Sequence, residues 1–130
     1  MTTSGSNGEV LVTFPGYDVD GHHTGRVLRD AGLSIRLEPK TGRRSPSELR
    51  ALLGDAVGAI ASTDPFDRAV LAASPNLKVI ARVGVGVDTI DLAAATAAGV
   101  MVTTTPGAND QAVADHTLAL MLALVRRLPE

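Results

Sequence analysis

The stretch Arg82 to Asp91, RVGVGVDTID, sets two glycines one residue apart between the apolar run LKVIA and the alanine-rich LAAATAAG. Bare backbone between a strand and a helix serves two kinds of chemistry. It cradles a nucleotide pyrophosphate, or it turns its amides on a small anion such as a carboxylate. A dinucleotide fingerprint needs G-x-G-x-x-G and, about 20 residues later, an acid for the ribose. Gly84-Val85-Gly86 supplies two glycines, Thr89 stands where the third belongs, and after Asp91 the next acid is Asp110, in the loop leading to the last helix. A phosphate loop of the G-x-x-x-x-G-K-[ST] kind also fails, because no lysine follows Lys78. Two readings remain: a tight turn out of a strand, or a nest made by the amides of Val83 to Val87 and suited to a carboxylate.

Other residues of chemical type are less telling. His22 and His23 lie near Asp18 and Asp20, but adjacent side chains seldom converge on one ion, and no metal site is expected. His116, in AVADH on the last helix, reads as a helix-surface or interdomain residue and not as a general base. The chain has no cysteine, which excludes disulfides, thiolate catalysis and zinc-thiolate sites and suits a reducing cytosol.

The elements that would position the glycine turn alternate along the chain. EVLVTF (Glu9 to Phe14) reads as a strand, TGRVLRDAG as a helix closed by Gly32, and LSIRLEP as a second strand. Ser45 is the expected N-cap of SPSELRALLG, with Pro46 in its first turn and Gly54 at its end. VGAIAS, LKVIARV and VMVTTT read as strands three to five, separated by the helices DRAVLAAS and DLAAATAAG. Asn109 is the expected N-cap of the final helix, Asp110 to Leu128, whose last turn would carry Arg126 and Arg127. Strands alternating with helices predict α/β structure: a flavodoxin-like, doubly wound, parallel five-stranded sheet of order 2-1-3-4-5 with a long C-terminal helix.

Composition narrows the function classes. With one Tyr, two Phe and no Trp there is no base-stacking platform, and 12 basic against 14 acidic residues form no basic stripe; nucleic acid is therefore not an expected partner. MTTSGSNGE lacks the charge and apolar pattern of a signal peptide, and residues 1–8 are expected to be a tail. The longest apolar run, Leu118 to Val125, is well short of the ~20 residues a bilayer span needs, so no membrane association is expected. A receiver or flavin protein of the same topology is disfavoured by the scarce aromatics and by Phe14-Pro15-Gly16, which stands where an acidic phospho-acceptor cluster would lie.

From Pro75 to Glu130, PNLKVIARVGVGVDTIDLAAATAAGVMVTTTPGANDQAVADHTLALMLALVRRLPE resembles the N-terminal region of the D-isomer-specific 2-hydroxyacid dehydrogenases, the family of D-3-phosphoglycerate dehydrogenase. The resemblance implies a flavodoxin-like substrate domain over residues 9–108 and a helix, 109–130, that crosses to an NAD domain absent from this sequence. It implies that backbone at Val83, Gly84 and Val85 holds a substrate carboxylate, with Ser62 in the loop after the third strand. It places the catalytic Arg, Glu and His beyond Glu130, so no catalytic and no cofactor-binding residue is expected here. NAD is implied for the whole enzyme only. The sequence departs from the family pattern at Ala61, where an Arg often precedes the Ser, a loss that Arg82 is positioned in sequence to offset. It departs again at Thr104 for Asn and Asp115 for Glu.

Leu118 to Val125 leave almost no polar face over two turns, and a helix apolar all round needs cover on all sides. The chain is therefore expected to be a cytoplasmic substrate-binding domain, inactive alone, that forms a homodimer through the helix Asp110 to Leu128. The contrasting expectation is a stand-alone, non-catalytic half that self-assembles through that helix. A third is that the helix docks on its own sheet.

Overall fold

The computed structural model describes residues 7–18, 20, 21 and 23–128. Five strands, β1 (Glu9–Val12), β2 (Ser34–Leu37), β3 (Gly58–Ala61), β4 (Val79–Arg82) and β5 (Met101–Thr103), pair in parallel in the order β2-β1-β3-β4-β5. The helices between them are α1 (His23–Asp30), α2 (Pro46–Leu53), α3 (Arg68–Ala72) and α4 (Leu92–Ala97), and α5 (Asp110–Val125) follows β5. This is the expected doubly wound sheet, and each strand is shorter than its apolar run because the flanking residues turn into loops.

Local chemistry explains where the helices begin. Ser45 Oγ accepts the Glu48 amide at 3.2 Å while Glu48 accepts the Ser45 amide at 2.7 Å, a reciprocal box with Pro46 behind it. Asp67 caps α3 by accepting the Val70 amide, and Asp91 caps α4 by accepting the Ala94 amide, each at 2.8 Å. Gly54 ends α2 with a positive φ. The expectation for α5 is corrected: Asn109 makes no side-chain cap bond, Arg126 is the C-cap, and Arg127 lies outside the helix with φ of 52°.

The core sits on one side of the sheet. Leu11, Ala59, Ala61 and Ile80 alternate toward Leu49 and Leu53 of α2, Val70 and Leu71 of α3 and Ala95 of α4, with Phe66 and Leu77 closing the edges. α2 packs on α3 and α3 on α4. On the opposite side α1 packs against β2, and Val10 and Val12 are buried. No element packs firmly on α5, and none of its residues is buried, so its docking on its own sheet is not what the structure adopts. At the other end, Asn7 is no part of a loose tail. Its amide donates to Gly32 O at 2.9 Å and its side chain to Ala31 O at 3.0 Å. The rest of the expected tail, residues 1–6, lies outside the described residues.

Candidate functional site

Parallel strands deliver their carboxyl ends to one edge, and the loops that gather there form the candidate site. The loop after β4 starts at Gly84, whose φ of 141° favours glycine. A Cβ at this position would also lie 2.2 Å from Arg82 Nη1. The backbone conformation favours glycine here, and any side chain would also have to move the Arg82 guanidinium aside.

Arg82 folds back over this loop. Its Nε donates to Gly86 O at 3.1 Å and its Nη1 to Val83 O, so the guanidinium gathers carbonyls on one side. Thr105, after β5, closes the other side: its amide donates to Gly84 O at 3.0 Å and its Oγ1 accepts the Gly84 amide at 2.9 Å. The loop is joined to the α3 side as well, by the Phe66 amide on Thr89 O and the Asp91 amide on Phe66 O.

These bonds decide which amides are left. The Val83 amide extends the sheet by donating to Ala61 O at 2.8 Å, and the Gly84 amide is held by Thr105. Of the three expected carboxylate-binding positions, Val85 alone has an uncommitted amide. Those of Gly86 and Val87 next to it also make no hydrogen bond among the described residues. Val85 and Gly86 are exposed, and the Asp88 carboxylate stands 3.2 Å from where a Gly86 Cβ would be. An incoming anion would meet amide donors and the Arg82 charge, with Asp88 opposing it at one edge.

Ser62 lies in a different part of the same edge. It lines a cleft of ≈ 220 Å³ with Thr13, Pro15, Lys40, Arg44 and Asp64, between β1 and β3, where the strand order reverses. Arg44 and Asp64, each 6% exposed at the side chain, pair at 2.9 Å. Thr13 Oγ1 donates to the second Asp64 oxygen at 2.6 Å, and Arg44 Nη2 donates to Glu38 O. This buried group ties together the ends of β1, β2 and β3. Sequence reasoning missed it, since positions 13, 44 and 64 share no spacing signal, and an Arg in a polar loop ordinarily reads as solvated. Lys40 is engaged by Glu48 at 2.8 Å. With the Ser45 box, that bond holds the Glu48 carboxyl down at about 2.

The remaining sequence candidates do not converge. His116 is exposed on α5, His23 is exposed at the start of α1, and His22 lies outside the described residues. Asp18 accepts the amides of Asp20 and Gly21 in a local turn. The loop between β4 and α4 does not have the form of a dinucleotide turn. Nine residues, 83–91, separate β4 from α4, and the Asp91 carboxylate occupies the Ala94 amide, one of those a pyrophosphate would need at that helix start.

Residues 23–124 match the family described as D-isomer specific 2-hydroxyacid dehydrogenase, catalytic domain. A D-3-phosphoglycerate dehydrogenase of Archaeoglobus fulgidus is 40% identical over 103 residues, 79% of this chain and 19% of that protein. Among solved structures, the TT0316 protein of Thermus thermophilus superposes with a TM-score of 0.79 at 41% identity, covering 92% of this chain and 37% of that one. An NAD+-bound 3-phosphoglycerate dehydrogenase of Entamoeba histolytica does so with 0.75 at 25% identity, covering 89% and 38%. The chain thus spans about a fifth of the length of that curated relative and under two fifths of the solved ones. A five-stranded order of 2-1-3-4-5, a glycine turn at the carboxyl end of β4 and a family match over most of the sequence agree: the chain belongs to the D-isomer-specific 2-hydroxyacid dehydrogenases.

Proposed function

We propose that this chain is the substrate-binding part of an NAD-dependent D-2-hydroxyacid dehydrogenase, similar to phosphoglycerate dehydrogenase, and that it holds a 2-hydroxy or 2-keto acid by its carboxylate without turning it over alone. The observation that carries the reading is the run of uncommitted amides at Val85, Gly86 and Val87 on a loop braced by Arg82 and Thr105. A nest of backbone donors beside a guanidinium recognises a carboxylate without using a titratable group. Ser62 and the cleft between β1 and β3 lie on the same edge, where the far end of a longer acid would reach.

Hydride transfer needs a nicotinamide and a group that exchanges a proton with the substrate oxygen. Both belong, in this reading, to parts of the enzyme outside these residues. We place the protein in the cytoplasm, and no helix among the described residues is long and apolar enough to cross a membrane. A second reading, a non-catalytic half that self-assembles, is favoured by α5, which has no buried residue along 16 positions. Either way the chain associates as a homodimer through that helix.

The test is an amide-resolved NMR titration of the chain with glyoxylate, D-lactate and D-3-phosphoglycerate. Shifts centred on residues 85–87, weakened at least tenfold in Gly84→Val, are the expected result. Shifts elsewhere, or none, overturn the carboxylate site. Oxidation of any of these hydroxy acids by the chain with NAD overturns its inactivity alone.

A further inference from the structure

The cleft between the ends of β1 and β3 holds charged groups that are already paired and hydroxyls that are not. Arg44 directs Nη1 to Asp64 at 2.9 Å and Nη2 to Glu38 O, and the Arg44 and Asp64 side chains are each 6% exposed. Thr13 occupies the second Asp64 oxygen. Drawing Arg44 toward an incoming anion would strand a buried carboxylate, which burial makes costly. Lys40 is the other cation of the lining, and its Nζ lies 2.8 Å from Glu48 Oε1. Each cation of the cleft is therefore cancelled by its own carboxylate.

The acid that holds Lys40 is itself fixed. Glu48 Oε2 accepts the Ser45 amide at 2.7 Å and the Ser45 hydroxyl at 3.0 Å, which leaves Oε1 for Lys40. The box that starts α2 thus positions the counterion of the lysine, and the carboxyl, held at about 2, stays ionised at neutral pH. No third cation lines the cleft among the described residues. Arg82, expected to offset the Ala61 departure, turns its guanidinium to Val83 O and Gly86 O instead.

What the cleft offers is hydroxyl chemistry. Thr41, Ser62 and Thr63 line it, and their side chains make no hydrogen bond among the described residues. A hydroxyl both donates and accepts, so this set matches an alcohol without any charge. Its position suits the acid of the proposed function. Ala61 O accepts the Val83 amide at 2.8 Å, so Ser62 leaves the sheet beside the carboxylate loop, one strand spacing of about 4.8 Å away. We propose that the cleft selects a 2-hydroxy or 2-keto acid whose third carbon carries an uncharged hydroxyl, and that Glu48, by holding Lys40, is the residue that disfavours a phosphorylated one. Specificity then comes from withholding a cation as much as from offering hydroxyls.

This inference rests on the carboxylate reading above for the near end of the acid, and its own claim concerns the far end. The amides of the parent chain and of Glu48→Gln are followed by NMR with D-glycerate, D-3-phosphoglycerate and inorganic phosphate. Gln can keep the box with Ser45 while the charge is removed. In the parent, D-glycerate is expected to move Ser62 and Thr63 and to bind at least about tenfold tighter than D-3-phosphoglycerate, the worth of one charge-assisted hydrogen bond. Glu48→Gln should erase or reverse that margin while D-glycerate affinity stays within about twofold. Inorganic phosphate should move residues 40–42 and 62–63 in the variant and not in the parent. Thr63→Lys, at an exposed position of the lining, adds a cation without touching the box and should act in the same direction. Tighter binding of D-3-phosphoglycerate by the parent, or a preference that neither substitution changes, overturns the proposal. So does D-glycerate that moves residues 85–87 and leaves Ser62 and Thr63 unmoved, or inorganic phosphate bound at Ser62 and Thr63 as tightly by the parent as by Glu48→Gln. If residues 85–87 respond to neither acid, the carboxylate reading fails, and the inorganic phosphate comparison still decides the charge of the cleft by itself.

Discussion

The two sides of the sheet are built differently. On one, α2, α3 and α4 each start at a side-chain cap, pack in sequence on one another and bury Leu49, Leu53, Val70 and Leu71. On the other, α1 shields one end, α5 starts without a side-chain cap, and Met101 and the leucines of α5 face outward. The closed side is a finished core whose caps fill their own helix starts. The open side leaves apolar side chains exposed among the described residues. The candidate substrate loops lie on the edge between the two, supported from the closed side by Ala61, Phe66 and the Arg44–Asp64 pair.

The largest effect is expected where that support is charged. Asp64→Ala leaves the Arg44 guanidinium buried without a counterion and removes the nearer of the two acceptors of the Thr13 hydroxyl. A loss of about 3–5 kcal/mol in urea unfolding is expected. A change under 1 kcal/mol would mean that the pair is solvated and that the closed side does not depend on it.

The contrast between the sides is sharpest in a matched pair of truncations. Leu53→Ala, fully buried, should cost about 2–5 kcal/mol. Met101→Ala should cost less than about 0.5 kcal/mol at concentrations where the chain is monomeric. Equal costs would erase the distinction between the two sides.

At the edge itself, Gly84→Val must accommodate a φ of 141° and displace Arg82. It should lose about 1–3 kcal/mol of stability, together with the carboxylate response at residues 85–87. Full retention of both would return the glycines to the role of a simple turn.

The smallest effect belongs to a cap. Ser45→Ala should cost about 1 kcal/mol, read from the urea midpoint. Glu48 adds a pH dependence. Its carboxyl is held at about 2, below its ordinary 4.5, chiefly by Lys40 and then by Ser45. A group lowered on folding contributes in full above about pH 4.5 and loses that contribution as pH falls toward 2. Glu48→Gln and the parent should therefore differ at pH 6 and converge near pH 2. A constant difference across that range would contradict the assigned cause.

Helix positions and the caps at Ser45, Pro46 and Gly54 were legible in the sequence because each rests on local periodicity or on one residue's backbone preference, and the strand order followed from the strand–helix alternation that doubly wound sheets share. The carboxylate loop was legible only in part. Two glycines on the end of a strand are visible in a string of letters, while the Thr105 hydroxyl that takes the Gly84 amide lies 21 residues away.

By itself, the sequence determined that the sheet is parallel and doubly wound, that the glycine turn does not meet the dinucleotide pattern, and that Leu118 to Val125 leave almost no polar face on the second half of α5. Only the tertiary structure decided which amides of the turn stay free, that Arg82 braces the loop, and that Arg44, Asp64 and Thr13 meet. It also decided that one side of the sheet is left open beside an uncovered helix. The physical reason is that hydrogen bonds and burial are consumed by whichever partner the fold brings near, and that partner is not set by distance along the chain.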